Sequence, residues 1–235
     1  MTTVLLVRHG RTTANASGVL AGWTQGVGLD DRGRDQTRGL GERLAAVPVA
    51  GLVSSPLQRC LETAQALVAA RNGSSAVTPQ TDDRFGEVRY GDWTGQELKK
   101  LAKDPLWKAV QAHPSAVTFP GAEGEAMAAM QARAVEAVRE WNDTLGPDAT
   151  YVVVSHGDVI KAVLADALGL HLDQFQRIVV DPASLSVVRY TQLRPFVERM
   201  NDTGASVDAL KPAKRRRSRK PSSDAAVGGG AGNGR

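Results

Sequence analysis

The sequence predicts a three-layer α/β/α fold with a mostly parallel central sheet. Three observations carry that expectation. Short β-branched apolar runs alternate with longer amphipathic stretches, the pattern of parallel strands joined by crossover helices. Two of these runs end in His-Gly, as strands do when they open onto a crevice at the sheet edge. No apolar run approaches the length that spans a bilayer, and no internal repeat interrupts the alternation.

The elements follow in order. Residues 3–7, TVLLV, read as a first strand. Residues 34–47 place Leu40, Leu44 and Val47 on one helical face. Residues 50–54 read as a second strand, and Pro56 suits the first turn of the helix expected over 57–71, with Leu57, Leu61, Ala64 and Leu67 in register. Residues 123–145 form a long amphipathic candidate through Met127, Met130, Ala134, Val138, Trp141 and Leu145. A strand at 151–154 leads directly into a helix at 159–168, and 185–190 reads as a further strand. From about residue 205, Lys, Arg, Ser, Pro and Gly replace periodic apolar residues. Such a segment cannot bury enough apolar surface to offset its ordering entropy. The expected organisation is one domain over 1–204 and a disordered basic tail over 205–235.

The chain has 235 residues, 42% hydrophobic and 23% charged, which suits a soluble globular protein. Its net charge of +4 is unevenly placed. Residues 211–235 carry eight Lys and Arg and one acid, so the preceding residues are slightly acidic. The N-terminus lacks a basic-then-apolar secretory pattern, and the single cysteine, Cys60, cannot form an internal disulfide. A cytoplasmic protein is expected. No feature of the sequence specifies an oligomeric state.

Four stretches carry chemistry. VLLVRHG ends a strand in Arg8, His9 and Gly10, and VVVSHG ends another in Ser155, His156 and Gly157. Taken alone, Arg-His-Gly reads more readily as a histidine bonded to a neighbouring carbonyl. Two such strand ends, aligned at one edge of a parallel sheet, are much harder to explain as core packing. In VSSPLQRC, Arg59 falls in a first helical turn, where anions are favoured and a guanidinium grips phosphate bidentately. Its alternative is an ordinary solvated arginine. In FGEVRYGDWTG, Glu87 sits among Gly and aromatic residues, surroundings that raise a carboxyl pKa enough for proton donation near neutrality. Its alternative is a salt bridge to Arg84 or Arg89. Two arginines, two histidines and a carboxyl together suit phosphoryl transfer to a histidine. Fixed cations bind the dianion, one of them an imidazolium, and no metal or other cofactor is required.

At this point the chain resembles the histidine phosphatase superfamily, in its phosphoglycerate-mutase-like branch. The family's Arg-His-Gly-x-Thr-x-x-Asn matches Arg8, His9, Gly10, Thr12 and Asn15. Its Ser-x-x-x-Arg-x-x-x-Thr-Ala matches Ser55, Arg59, Thr63 and Ala64. Its acid loop matches Glu87, Gly91, Trp93 and Gly95, and its Ser-His-Gly matches residues 155–157. The resemblance covers about residues 3–195, and the Ala-, Gly- and Arg-rich composition is similar to actinobacterial members, some grouped with phosphomutases. It implies that His9 is the nucleophile and that Arg8, Arg59 and His156 grip the phosphoryl group. It further implies that Asn15, with Gly10, Gly22 and Gly157, lines the substrate phosphate, and that Glu87 is acid and then base.

The chain departs from the mutase pattern at Ala21, Val88 and Asp158, and its 98–120 insert carries only scattered lysines. A mutase must hold a bisphosphorylated intermediate, which takes more cations, so a phosphatase acting on a small phosphorylated metabolite is favoured over a phosphomutase. A cysteine phosphatase is excluded because the residue six beyond Cys60 is Ala66, not arginine. A metal site at His9, His156 and Asp158 lacks supporting His spacing. The third class is a phospho-ligand or nucleic-acid binding protein acting through its basic tail. No aromatic residue interrupts that tail to stack on bases, which favours a merely solubilising terminus.

Overall fold

In a computed structural model describing residues 1–71, 77–204 and 227–230, strand β1 (Thr2–Arg8) divides its side chains between two cores. Leu5 and Val7 face one side and Val4 and Leu6 the other, as the two-residue period of a strand requires. After β1 come the short helix α1 (Thr13–Ser17), helix α2 (Asp31–Leu44), strand β2 (Gly51–Ser54), helix α3 (Gln58–Ala69) and a short strand β3 (Gln80–Thr81). Helices α4 (Leu98–Leu101), α5 (Leu106–Ala112) and α6 (Met127–Leu145) precede strand β4 (Thr150–Ser155). Helix α7 (Gly157–Ala167) and strands β5 (Leu185–Tyr190) and β6 (Pro195–Asp202) follow.

The sheet order is β3-β2-β4-β1-β5-β6. Helices α2 and α3 cover one face through Leu40, Leu44, Cys60, Ala64 and Leu67. Helices α6 and α7 cover the other through Met130, Ala134, Val138, Ile160 and Val163. The three-layer architecture stands as expected. Truncating a buried core side chain such as Leu67 to alanine costs about 2–5 kcal/mol.

Strands β3, β2, β4 and β1 are parallel, whereas β5 pairs antiparallel with β1 and β6 antiparallel with β5. The reason lies in the return path after α7. The Ala183 amide meets the carbonyls of Arg8 and His9, so the chain regains the carboxyl edge before β5 begins and must then run down it. Strand β6 adds through the short turn at Thr191–Arg194. The sequence reading did not anticipate it, because an edge strand reading PFVERMND has little apolar alternation.

Helix α6 starts at Met127 rather than 123. Residues before it are held extended by bridges from Gly124 to Tyr90 and from Ala126 to Thr118, which outcompete a further helical turn. No described helix is long and apolar enough to cross a membrane. The expected disordered tail at 205–235 lies outside the described residues except for Val227–Gly230, which pack against the domain.

Candidate active site

Parallel pairing of β1 with β4 sets Arg8 opposite Ser155. The next residue on each strand, His9 and His156, therefore emerges at the same sheet edge, with ring centroids 5.2 Å apart. Arg59, in the first turn of α3, reaches between them. Its Nε donates to His9 Nε2 at 3.3 Å, and its Nη2 lies 3.2 Å from His156 Nδ1 and donates to the Gly22 carbonyl at 2.9 Å. The solvated alternative for Arg59 is thereby set aside, since the side chain is buried.

The hydrogen bonds define the ring states. His9 Nδ1 sits 2.7 Å from the Gly10 carbonyl, an acceptor only, so Nδ1 carries the proton and Nε2 carries the lone pair. A guanidinium is a donor only, so His156 Nδ1 accepts from Arg59 and Nε2–H donates to Ser55 Oγ at 2.8 Å. Burial, then the charges of Arg59 and Arg8, hold His9 well below the usual imidazole pKa. Burial first and Arg59 second do the same to His156. The expected imidazolium is disfavoured at both rings: burial strips a cation of its solvation, the arginines beside them add repulsion, and the hydrogen bonds fit neutral tautomers.

Glu87 comes from the loop between β3 and α4. It is 4% exposed, and its Oε2 lies 3.8 Å from His156 Nδ1. Burial, then the charge of Asp158, pushes its pKa up to about 7. The salt-bridge alternatives fail because Arg84 pairs with Asp82 and Glu140, and Arg89 lies over the Trp23 ring, 4.1 Å from its centroid. The loop itself is clamped through its backbone. Trp23 Nε1 donates to the Glu87 carbonyl at 2.6 Å, and Arg133 on α6 donates to the carbonyls of Arg84, Gly86 and Glu87. Glu125 holds Arg133 from the other side with two hydrogen bonds.

His9, Asn15, Ala21, Gly22, Arg59 and Glu87 line one pocket. Asn15 spends its Oδ1 on the Thr12 amide in a capping box at α1, leaving the amide nitrogen as its donor. Gly22, at φ +52°, presents its carbonyl to Arg59, and a side chain there would strike Thr94. Arg8 is buried beneath the pocket, with Nη1 donating to Val180 O at 2.8 Å. Arg8, His156, Gly10 and Gly157 are not among the lining residues. A Cβ on Gly10 would come 2.6 Å from the Gly33 carbonyl, so Gly10 serves the approach of α2 to β1, while Gly157 opens α7 behind His156.

Sequence reasoning missed Arg133 and the segment Val227–Gly230, and it noted Asp158 as a departure from the mutase pattern and in a rejected metal site, without a place in this site. Asp158 is buried, accepts from Tyr90 Oη at 3.0 Å and pairs with Lys161 Nζ at 3.5 Å. Arg133 carried no motif signal. Val227, Gly228 and Gly230 close the pocket's outer side. Cys60 touches the site from behind, with Sγ 3.5 Å from His156 Nε2, and burial pushes its thiol up to about 12. Among the described residues, no group of three or more His, Cys, Asp and Glu is placed to hold a metal ion.

This fold and this pair of facing histidines define a class. Residues 4–203 match the sequence profile of the histidine phosphatase superfamily (branch 1), and the chain belongs to that family. Among its relatives is phosphoserine phosphatase 1 of Hydrogenobacter thermophilus, 30% identical over 86% of this chain and 93% of that protein. Glucosyl-3-phosphoglycerate phosphatase of Mycolicibacterium vanbaalenii is 30% identical over 87% and 89%. A 2,3-bisphosphoglycerate-dependent phosphoglycerate mutase of Gloeobacter violaceus is 24% identical over 77% and 82%. The solved structure of Bacillus stearothermophilus YhfR superposes with a TM-score of 0.77 at 28% identity, covering 86% of this chain and 98% of that one. The protein is a histidine-phosphatase-family enzyme.

Proposed function

We propose that this chain hydrolyses a small phosphate monoester through a phosphohistidine at His9, with Glu87 as proton donor. The observation that carries the reading is that His9, with Nδ1 tied to the Gly10 carbonyl and Nε2 facing Arg59, lines one pocket with Glu87, a buried carboxyl whose pKa burial pushes up to about 7. His9 Nε2 attacks phosphorus while Arg8 and Arg59 neutralise the phosphoryl oxygens. The bond to the leaving oxygen breaks, and Glu87 gives that oxygen its proton. The resulting Glu87 carboxylate then takes a proton from water, which attacks phosphorus. The nitrogen–phosphorus bond breaks, releasing inorganic phosphate and restoring the His9 lone pair. His156, neutral and anchored to Ser55, steadies Arg59 and faces the same phosphoryl group. All the positive charge comes from side chains, so the reaction needs no metal.

Phosphatase is favoured over mutase by what lines the pocket. Among the described residues its one cationic lining residue is Arg59, and Ala21 supplies no hydroxyl for a second phosphate. Lys99, Lys100, Lys103 and Lys108 are exposed away from it. The substrates named for the phosphatase relatives are small phosphorylated metabolites, and the single cysteine fits a cytoplasmic setting. The domain is taken as residues 1–204. A screen of phosphorylated metabolites without added metal, with His9→Ala as the blank, tests the reading. Equal phosphate release by His9→Ala would overturn it.

A further inference from the structure

Residues 227–230 lie far along the sequence from the rest of the site, beyond a charge-rich stretch, yet they line the pocket at His9. Val227 is 2% exposed and belongs to the same core as Leu20 and Tyr90. The Gly228 amide donates to Asp158 Oδ2 at 2.9 Å, the oxygen that also accepts from Tyr90. The Gly228 and Gly230 carbonyls both accept from Arg8 Nη2, at 3.2 and 2.6 Å. The backbone needs glycine there: φ is +69° at Gly228 and +57° at Gly230. A Cβ on Gly228 would also come 3.0 Å from Leu20 Cδ1.

With this segment in place, the cavity between His9, Asn15, Arg59, Glu87 and residues 227–230 is about 20 Å³. That is room for about one water molecule. A phosphate monoester does not fit. Two carbonyl oxygens on one guanidinium nitrogen also occupy donor capacity that an arginine beside the nucleophile would give to phosphoryl oxygens.

We infer that Val227–Gly230 is an intramolecular occupant of the phosphate pocket, competing with the substrate's phosphoryl group for Arg8 and leaving before substrate enters. This rests on the reading of Arg8 and His9 as the phosphoryl site. The attachment is in cis, so weak contacts suffice to fill the pocket. Release of the segment raises apparent affinity without adding a contact. If the pocket is filled nine-tenths of the time, release strengthens phosphate binding about tenfold.

The test uses the full chain with inorganic phosphate as probe. Gly228→Val, which makes the left-handed backbone costly, and Val227→Asp, which puts a charge into the apolar contact, are each compared with the wild type by calorimetry. Both are expected to bind phosphate about tenfold more tightly. In the wild type, phosphate should increase hydrogen exchange in the peptide spanning 227–230. Unchanged or weaker binding in both variants overturns the inference, as does phosphate-induced protection of that peptide, which would mean that the segment closes over the ligand. Arg59→Ala separates the two readings. If it leaves phosphate affinity intact, or if no form binds phosphate, the phosphoryl site itself is misplaced and the inference falls with it.

Discussion

The floor and the rim of the pocket are built differently. On the floor, Arg8, His9 and His156 emerge from β1 and β4, whose register fixes their spacing, and Arg59 comes from the first turn of α3. On the rim, Gly22, Glu87 and Gly228 come from irregular segments held by contacts to backbone carbonyls and amides, such as those of Trp23 and Arg133. A strand end cannot shift without breaking its ladder, whereas a loop can change sequence and course at little cost to the fold. In the proposed reaction the transferred phosphoryl group would meet the rigid floor, and the leaving group, which differs between the substrates named for the relatives, would meet the rim.

Removing the floor should cost most. His9→Ala should lower turnover by roughly 10⁴-fold or more, and wild-type enzyme quenched during turnover should carry label that survives alkali and leaves in mild acid. Label retained on His9→Ala would move the nucleophile elsewhere. Arg59→Ala should slow turnover by roughly 10²–10³-fold whatever the leaving group, because it acts on the phosphoryl oxygens. A loss confined to one substrate class would place Arg59 with the rim.

Rim changes should discriminate between substrates. Glu87→Gln should cost roughly 10²-fold on alkyl phosphates and far less on aryl phosphates, whose leaving oxygen needs no proton. Because the Glu87 pKa is pushed up to about 7, the donor form exists below that pH. Wild-type kcat on alkyl phosphates should fall above about pH 7, and Glu87→Gln should lose that limb. His9, held well below its usual pKa, should impose no acid limb until well under pH 6.5. Arg133→Lys, which cannot reach three carbonyls at once, should cost roughly tenfold on alkyl phosphates and move the alkaline limb. The aryl rate should scarcely change, and an equal loss on both would make Arg133 a stability residue. Excess EDTA should change nothing, because the cations are side chains. Restoration of a lost rate by Mg²⁺ or Zn²⁺ would break the comparison at its base.

The same division explains what could be read from the chain. Arg8, His9 and His156 were legible because a strand followed by His-Gly dictates both direction and edge. The sheet's parallel half was legible for the same reason. Arg59 was ambiguous, since its burial depends on the Gly22 carbonyl, which lies far away in sequence. The lowered pKa of His156 depends first on its burial and then on charges brought in by other elements, Arg59 foremost. Arg133 and Asp158 reach the site through contacts with the distant Arg84–Tyr90 stretch, which leave no local period. Strand β6 and Val227–Gly230 escaped because an edge strand and a glycine run carry almost no apolar pattern.

Cys60 gives the enzyme a further property. Its sulfur lies against His156, yet with the thiol pushed up to about 12 almost none is thiolate at cellular pH. Peroxide and alkylating reagents attack the thiolate, and this one is also sealed from solvent by α3 and the sheet. With nitrogen as the proposed nucleophile and the single cysteine buried, turnover is expected to persist under oxidants that silence cysteine-dependent phosphatases.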